Sequence, residues 1–310
     1  MIGAAARARM RRTRERAAWR AYHVLRRAAR PAGYHLVRAG YYSPIPELGE
    51  LPPSAWDEPS PMPGLPLDLD AQVAMLKGDL GPFLAEFRPP RHAPGDAEGY
   101  HFDNPFYGPL DAAVLYAIVR RHRPRRVLEI GAGFSSLVIA GAAARNAAEG
   151  SPVEHRVVDP YPSPLLQRLG ARVSVRAQEA TDVPLDEFAA LEAGDVLFID
   201  TTHTVRIAND VLYLLLQAIP AVAPGVVVHV HDVFRPYEYP RELYETFGVY
   251  WQEHYLLQAL LAYNERFEVV CANHALYRDR REAVRALVPS VDEVAHAPSA
   301  FWFRRTETGA

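Results

Sequence analysis

Short apolar runs alternate with helical patterns along the second half of the chain. Nearly unbroken apolar segments predict strands at 126–130, 154–158, 172–175, 195–199, 226–231, 267–272 and 300–303. Between them, helical patterns predict helices at 135–144, 165–169, 186–191, 205–218 and 252–263. Strands that lack an alternating polar side are buried on both faces. The pattern therefore predicts an α/β fold, with a mostly parallel sheet and helices on both of its faces.

The first 122 residues carry a different pattern. Residues 7–30 are typical of a helix rich in alanine and arginine, and residues 40–66 form a proline-rich arm. Helical spacing returns at 68–87, where glycine and proline predict a break, and again at 110–121. We therefore predict three parts: a basic helix with the proline-rich arm (1–66), a helical lid or cap (67–122) and the sheet domain (123–310).

Charge is distributed unevenly along the 310 residues. Residues 1–30 hold ten arginines and one acid, Glu15, although the whole chain has a net charge of −3. Such a start is typical of contact with an anionic membrane surface or nucleic acid, or of an extension that is solvated or packed on a partner. Basic residues do not concentrate around the predicted cleft, so we expect no nucleic-acid substrate. We also expect no membrane span, because no segment is long and apolar enough.

The chain contains a single cysteine, which limits the sulfur-based sites that it can form. Cys271 lies in an apolar run that predicts a buried strand, which favours a packed, inert thiol. One cysteine excludes an internal disulfide and a thiolate metal cluster. This composition is consistent with the cytoplasmic location that we expect.

A glycine turn is the most specific local feature. The run RVLEIGAGFSS at 126–136 predicts a strand, a tight turn and the start of a helix. Gly131 and Gly133 permit positive φ and close backbone approach, and the free N–H groups at the helix start face whatever lies over the turn. Such turns hold nucleotide-like ligands. Ser136 stands where the dinucleotide fingerprint has its third glycine, which weakens a nicotinamide interpretation without eliminating it.

Acidic residues stand at four predicted strand ends: Glu129, Asp159, Asp200 and Asp232. Ligands of parallel α/β sheets bind beyond the carboxyl ends of the strands, and an acid after the second strand can bind ribose hydroxyls. Two of these acids also have a structural alternative. Asp159 can cap a turn, and Glu129 can brace the glycine turn. Their recurrence at one edge nevertheless predicts a ligand site there.

An ordered set of segments resembles a known family. Residues 127–136 resemble the first motif of class I S-adenosylmethionine-dependent methyltransferases, and Asp159 matches the family's ribose-binding acid. Residues 178–182 resemble the loop that lies against the adenine. Residues 198–203 and 228–234 resemble the D-x-x-H and H-x-H-D segments of a bacterial small-molecule subgroup. The resemblance implies a Rossmann-like class I methyltransferase fold with an antiparallel C-terminal strand.

The resemblance also implies which residues bind the cofactor. The glycines would let the backbone approach the methionine part of S-adenosylmethionine, two acids would meet its ammonium group, and others would hold the ribose and the adenine. The expected cofactor-binding residues are Glu129, Gly131, Gly133, Ser135, Asp159, Glu179 and Asp111.

Methyl transfer to a hydroxyl requires an aligned acceptor and removal of its proton. We expect His203 to be the general base, with Asp200 and Asp232 beside it, because histidine titrates near neutrality. The alternative for His203 is capping of the predicted 205–218 helix or a bond to Asp200. Asp200, His231 and Asp232 form a candidate site for Mg²⁺, Mn²⁺, Fe²⁺ or Zn²⁺. His229 lies deeper in its strand and is expected to pack within the sheet.

These observations favour methyl transfer from S-adenosylmethionine to a hydroxyl of a small molecule, such as a sugar or a specialised metabolite. Three alternatives stay open: a nicotinamide-dependent oxidoreductase, a metal-dependent enzyme of the same fold with other chemistry, and a binding protein that has lost catalysis. The expected partners are the small-molecule acceptor and a second copy of the chain, held through the N-terminal arm.

Overall fold

The structure, a computed structural model, describes residues 4–93, 99–294 and 296–307, with side chains from residue 13 onwards. Residues 1–3 and 308–310 of the predicted first and last parts, and the side chains of residues 4–12, lie outside this description. The chain divides into two compact units, Met1–Pro53 and Ser54–Ala310. The predicted boundaries at 66 and 122 stay predictions.

The first unit consists of one long helix and an irregular arm. Helix α1 runs over Ala4–Ala29 and is followed by short 3-10 turns at Arg30–Ala32 and Leu48–Glu50. Arg30 and Pro31 end the helix, and Gly33 closes it with φ of 82°. The predicted alanine–arginine helix therefore forms.

The second unit is built on one sheet of seven strands within the described residues. The sheet order is β3-β2-β1-β4-β5-β7-β6, and β7 is antiparallel to both of its neighbours. The predicted fold, a mostly parallel sheet with an antiparallel C-terminal strand, is confirmed. The strands are β1 Arg126–Ile130, β2 Glu154–Val158, β3 Ser174–Arg176, β4 Val196–Ile199, β5 Val227–Val230, β6 Phe267–Ala272 and β7 Phe301–Arg305.

Helices cover both faces of this sheet. The predicted break within 68–87 separates α2 from α3. The helices of the second unit are α2 Leu69–Lys77, α3 Gly81–Glu86, α4 Pro109–His122, α5 Phe134–Ala148, α6 Pro164–Gln167, α7 Leu185–Ala189, α8 Asp210–Tyr213, α9 Ile219–Ala221, α10 Arg241–Glu245, α11 Glu253–Leu261, α12 Asn273–Asp279 and α13 Arg281–Leu287. A π-helical stretch, Leu214–Ala218, joins α8 to α9.

The helix that was predicted from Val205 begins five residues later, so that prediction is wrong at its N-terminus. Asn209 caps α8, because its side-chain oxygen accepts a hydrogen bond from the Leu212 N–H at 3.3 Å. Ala208 has a φ of 56°, which no helix continues. His203 is therefore in a loop and does not cap a helix.

Except in β3, alternate residues along the strands enter two apolar clusters. Val127 and Phe198 pack on one face of the sheet with α4 and α5, while Leu128 and Leu197 pack on the other face with α7 to α9. All four are buried, which explains the absence of polar alternation in the strands. Because β1, β2, β4 and β5 are parallel, their carboxyl ends meet at one edge of the sheet.

Candidate functional site

The glycine turn after β1 is held against the end of β4. Gly131 has φ of 80°, and a Cβ built on it would lie 1.6 Å from the carbonyl oxygen of Asp200. The Asp200 N–H in turn donates to the Ile130 carbonyl at 2.9 Å. Only glycine satisfies both the left-handed φ and this close approach. The turn and the first residue after β4 thus form one rigid floor.

The second glycine faces open space. A Cβ on Gly133 would meet no atom within 4 Å, and α5 begins at the next residue. The first N–H groups of this 15-residue helix therefore have room for a ligand above them. Asp159 lies at the same place: its Oδ2 accepts from the Ala132 N–H at 3.0 Å and its Oδ1 from the Tyr161 N–H at 2.7 Å. Because Asp159 is half-exposed, its remaining acceptor positions face outward.

Glu129 braces the turn from below. Its two carboxylate oxygens accept the hydroxyls of Ser135 at 2.7 Å and Ser136 at 2.9 Å, and the Nε2 of His155 lies 2.7 Å from Oε2. All four side chains are buried. Ser136, in place of the third glycine, thus joins the start of α5 to β1. Glu129 and Ser135 support the floor formed by the glycine turn and Asp200, and direct contact of either residue with a cofactor stays a prediction.

The other two predicted cofactor residues lie in different surroundings. Asp111 is buried near the start of α4 and accepts hydrogen bonds from the Asn273 side chain at 2.8 Å and from the N–H groups of Ser299 and Ala300 at 2.8 and 3.1 Å. Burial raises the pKa of this carboxyl. Asp111 thus joins α4 to the segment before β7. Glu179 is exposed and precedes a 3-10 turn, where it is free to approach a ligand.

His203 lies at the centre of three carboxylates. Its Nε2 is 3.2 Å from Oδ1 of Asp200 and 3.3 Å from Oδ2 of Asp232. Its Nδ1 is 2.8 Å from Oε2 of Glu253. The structure therefore brings together the three residues that were predicted to be catalytic. We call His203, Asp200, Asp232 and Glu253 the histidine centre.

The backbone fixes this arrangement through strained residues and a loop contact. His203 and Asp232, which follow β4 and β5, both have φ of 55°. Non-glycine residues rarely adopt this conformation, and such strain concentrates at functional sites. The carbonyl of His203 accepts from the N–H groups of Gln252 and Glu253 at 3.0 and 3.2 Å, and the Trp251 ring lies 4.5 Å from the imidazole.

The surrounding charges set the protonation of the histidine centre. Burial lowers the pKa of His203, but hydrogen bonds to Asp200 and Glu253 and the charge of Asp232 outweigh burial and raise it well above the ordinary value. Burial opposes ionisation of Asp200, yet the charges of His231 and His203 and the hydrogen bond from His203 lower its pKa to about 2. Without a bound cation, His203 is therefore an imidazolium at neutral pH.

The candidate metal ligands differ from the predicted set. Donor atoms of Asp200, His203 and Asp232 all lie within 4.8 Å of one another. His231 stands apart: its Nε2 is 4.0 Å from Oδ1 of Asp232 and 3.5 Å from the Ser299 hydroxyl, and its ring packs 4.9 Å from that of Tyr107. The structure thus places His203, rather than His231, with the two aspartates. Two carboxylates and one imidazole suit a divalent transition metal or Mg²⁺.

His229 packs in the sheet as predicted. Its ring stacks on Phe198 with centroids 4.0 Å apart, and the residue is fully buried. Burial lowers its pKa well below the ordinary value, so the ring is neutral. His254 is likewise buried, stacked 3.7 Å from Tyr239, and takes no part in the histidine centre.

Glu253 is the site residue that the sequence did not reveal. It is 1% exposed at the start of α11, fifty residues beyond His203. The signal lay in its spacing, because Glu253, Leu257 and Leu261 form one buried stripe at helical intervals. An acid on such a stripe needs a partner, since unpaired charges are rarely buried.

Comparisons with known proteins agree with this fold. Residues 128–233 match the family model described as a methyltransferase domain. An uncharacterised protein of Archaeoglobus fulgidus is 32% identical over 96 residues, which cover 30% of this chain and 42% of that protein. The matched model agrees with the predicted methyltransferase resemblance over these residues, and the strand order agrees with the predicted fold.

Three solved structures that are similar to this chain have a low sequence identity to it. An O-methyltransferase from Bacillus cereus in complex with S-adenosylhomocysteine (SAH) is 16% identical, covers 78% of this chain and 92% of its own, and has a TM-score of 0.37. The SAH complex of cmcI-N160 is 14% identical, with 83% and 98% covered and a TM-score of 0.38. The Mg-SAM complex of cmcI-D160 is 13% identical, with 81% and 91% covered and a TM-score of 0.37.

Proposed function

We propose that this chain, whose residues 128–233 form a methyltransferase domain, transfers a methyl group from S-adenosylmethionine to a hydroxyl of a small molecule. The histidine centre carries the proposal. It lies at the ends of β4 and β5, directly beside the glycine turn, with a histidine that can exchange a proton. Methyl transfer needs an aligned acceptor and a proton acceptor at this place.

The cofactor would lie over the floor formed by the glycine turn. The open space above Gly133 and the N-terminus of α5 suit its methionine part, and the outward acceptors of Asp159 suit ribose hydroxyls. Glu129 and Asp111 support this site through their hydrogen-bonded carboxylates. Glu179 would approach the adenine, as the family resemblance implies.

In the proposed reaction, the acceptor oxygen attacks the methyl carbon while the carbon–sulfur bond breaks and its electron pair stays on sulfur. The hydroxyl proton passes to the histidine centre, and neutral SAH leaves. His203 can accept that proton only as a neutral imidazole. The three carboxylates hold His203 protonated. Another positive charge beside Asp200 must therefore first lower the pKa of His203. The positively charged sulfonium of the cofactor would have this effect.

A divalent cation is the second candidate for this role. The donor atoms of Asp200, His203 and Asp232 fit such an ion, and Glu253 would orient the imidazole through Nδ1, as carboxylates commonly do for metal-bound histidine. The ion would supply Lewis acidity that lowers the pKa of the acceptor hydroxyl. His203 would then be a ligand rather than the base.

The ring of Trp251 beside the histidine centre supports a sugar or specialised metabolite as acceptor. Trp251 is half-buried and packs 4.5 Å from His203, whereas Tyr239, 5.9 Å from Trp251, is buried and stacked on His254. Flat apolar rings suit stacking of a sugar or an aromatic ring.

Within the described residues, no helix is long and apolar enough to span a membrane. We propose a cytoplasmic enzyme that does not act on nucleic acid.

Calorimetry and turnover test this function together. SAH is titrated into the protein with and without a chelator, and transfer of a labelled methyl group to pooled sugar and phenolic acceptors is then measured. Binding of SAH together with chelator-sensitive transfer supports the metal version. Transfer that survives the chelator supports His203 as the base. Binding of NADH in place of SAH would favour the oxidoreductase alternative.

A further inference from the structure

The basic helix α1 exposes charge that nothing in the described chain neutralises. Six arginines in its described portion and just after it form no ion pair within the residues that the structure describes, and five of them are exposed. They are Arg14, Arg16, Arg20, Arg26, Arg27 and Arg30, of which Arg26 is half-buried. Unpaired arginines at this density indicate an anionic partner.

The two units of the chain carry opposite charge. Residues 1–53 contain eleven arginines and three acids, whereas residues 54–310 contain 23 basic and 34 acidic side chains. Residues 54–310 of a second copy therefore carry a net charge of −11, opposite in sign to that of the basic helix. A helix of 26 residues is about 39 Å long, so it can span much of a neighbouring unit.

Exposed aromatic side chains accompany the arginines. Trp19 is 55% exposed, and Tyr41 and Tyr42 in the arm are each 95% exposed. Exposed rings beside arginines are typical of protein interfaces. The first unit thus offers both the charge and the apolar contacts that a protein partner would cover.

Other anionic partners fit these observations less well. Trp19, Tyr22 and Leu25 share one side of α1, because 100° separates successive residues, but Arg26 lies between Trp19 and Tyr22 on that side. No single wide apolar face would therefore enter a lipid surface. Nucleic acid would be repelled by the acidic residues 54–310.

We propose that α1 binds the acidic second unit of another copy of this chain, and that reciprocal exchange of the two arms forms a dimer. Such an exchange is closed, since each copy gives one helix and receives one. The proposal is independent of the methyl-transfer function. It assigns a role to the first unit of the chain.

Two matched charge reversals test the proposal. The first, Arg14→Glu/Arg16→Glu/Arg20→Glu, changes exposed positions on α1. The control, Arg121→Glu/Arg145→Glu/Arg168→Glu, changes net charge equally at exposed positions of the second unit that form no ion pair in the described structure. Sedimentation of each protein is measured at about 50 mM and about 500 mM salt, where screening differs strongly.

The wild type and the control are expected to dimerise at low salt and to dissociate at high salt. The α1 variant should raise the dimer dissociation constant about tenfold or more, with unchanged affinity for SAH. A monomeric wild type at low salt, or an α1 variant that dimerises as tightly as the control, overturns the proposal.

Cross-linking identifies the occupant directly. A photo-reactive amino acid at position 19 is activated in a mixture of light- and heavy-isotope chains. Mixed-isotope cross-links to residues 54–310 support the exchange, and cross-links confined to single chains overturn it. Binding of a monomer to phosphatidylglycerol vesicles or to a DNA duplex would also overturn it, in favour of a membrane or a nucleic-acid partner.

Discussion

Replacement of Glu253 by glutamine tests whether the buried carboxylate orients and charges His203. Glu253 Oε2 lies 2.8 Å from Nδ1 of His203, and both side chains are almost fully buried. A hydrogen bond to a charged group contributes about 1.5–3 kcal/mol, which corresponds to a factor of about 10 to 100. Partners of this kind at metal-bound histidines have effects of the same size. We therefore expect Glu253→Gln to lower kcat about 10- to 100-fold.

The pH profile separates this role from a merely structural one. Glu253 helps to raise the pKa of His203, so its replacement lowers that pKa. The acid limb of the rate profile should therefore move to lower pH, while the affinity for SAH changes little because glutamine keeps the volume and can still accept a hydrogen bond from Nδ1. Glu265→Gln, an exposed acid just beyond α11, is the control and should behave as wild type. An unchanged kcat with an unmoved acid limb would refute the orienting role of Glu253.

Three further predictions follow from the site and its floor. Asp159→Ala should weaken the binding of both SAH and 5′-methylthioadenosine about 10-fold or more in calorimetry, since both molecules carry the ribose. The control Asp186→Ala should change neither affinity. Equal affinities in the two variants would contradict the ribose assignment. Gly131→Ala should unfold the domain or lower its Tm sharply, because the new Cβ overlaps the Asp200 carbonyl. In the control, Gly141→Ala on α5, a Cβ meets no atom and should stabilise the fold by about 0.5–1 kcal/mol. Similar melting curves for the two variants would refute the contact. His203→Gln should lower the free energy of unfolding more at pH 6 than at high pH. The pKa of His203 is raised in the folded state, so its ion pairs stabilise the fold fully below the unfolded pKa of about 6.5 and less as the pH rises through the folded pKa. A loss of stability that is independent of pH in chemical denaturation would contradict the ion pairs.

Strand positions could be predicted from the sequence because they depend on local composition. The bounds of β1, β2 and β6 match the predicted strands residue for residue. The start of α8 could not be predicted this way. The stretch after β4 looks helical, but the left-handed Ala208 and the Asn209 cap delay the helix to Asp210.

The sequence predicted residues of the site, but not which histidine lies beside the two aspartates. Asp200, His203 and Asp232 were foreseen because parallel strands bring their carboxyl ends to one edge. Which histidine joins the aspartates depends on two left-handed residues, and no periodicity reveals them. Glu253 lies fifty residues from its partner, so its role becomes visible only once α11 packs beside the loop after β4.

Titration of SAH into the intact protein, with NADH as the parallel ligand, tests the central claim most directly. The account predicts saturable binding of one SAH per chain, weakened by Asp159→Ala and retained by His203→Gln, with no binding of NADH. A protein that binds NADH, or whose SAH affinity is the same with and without Asp159, would contradict it.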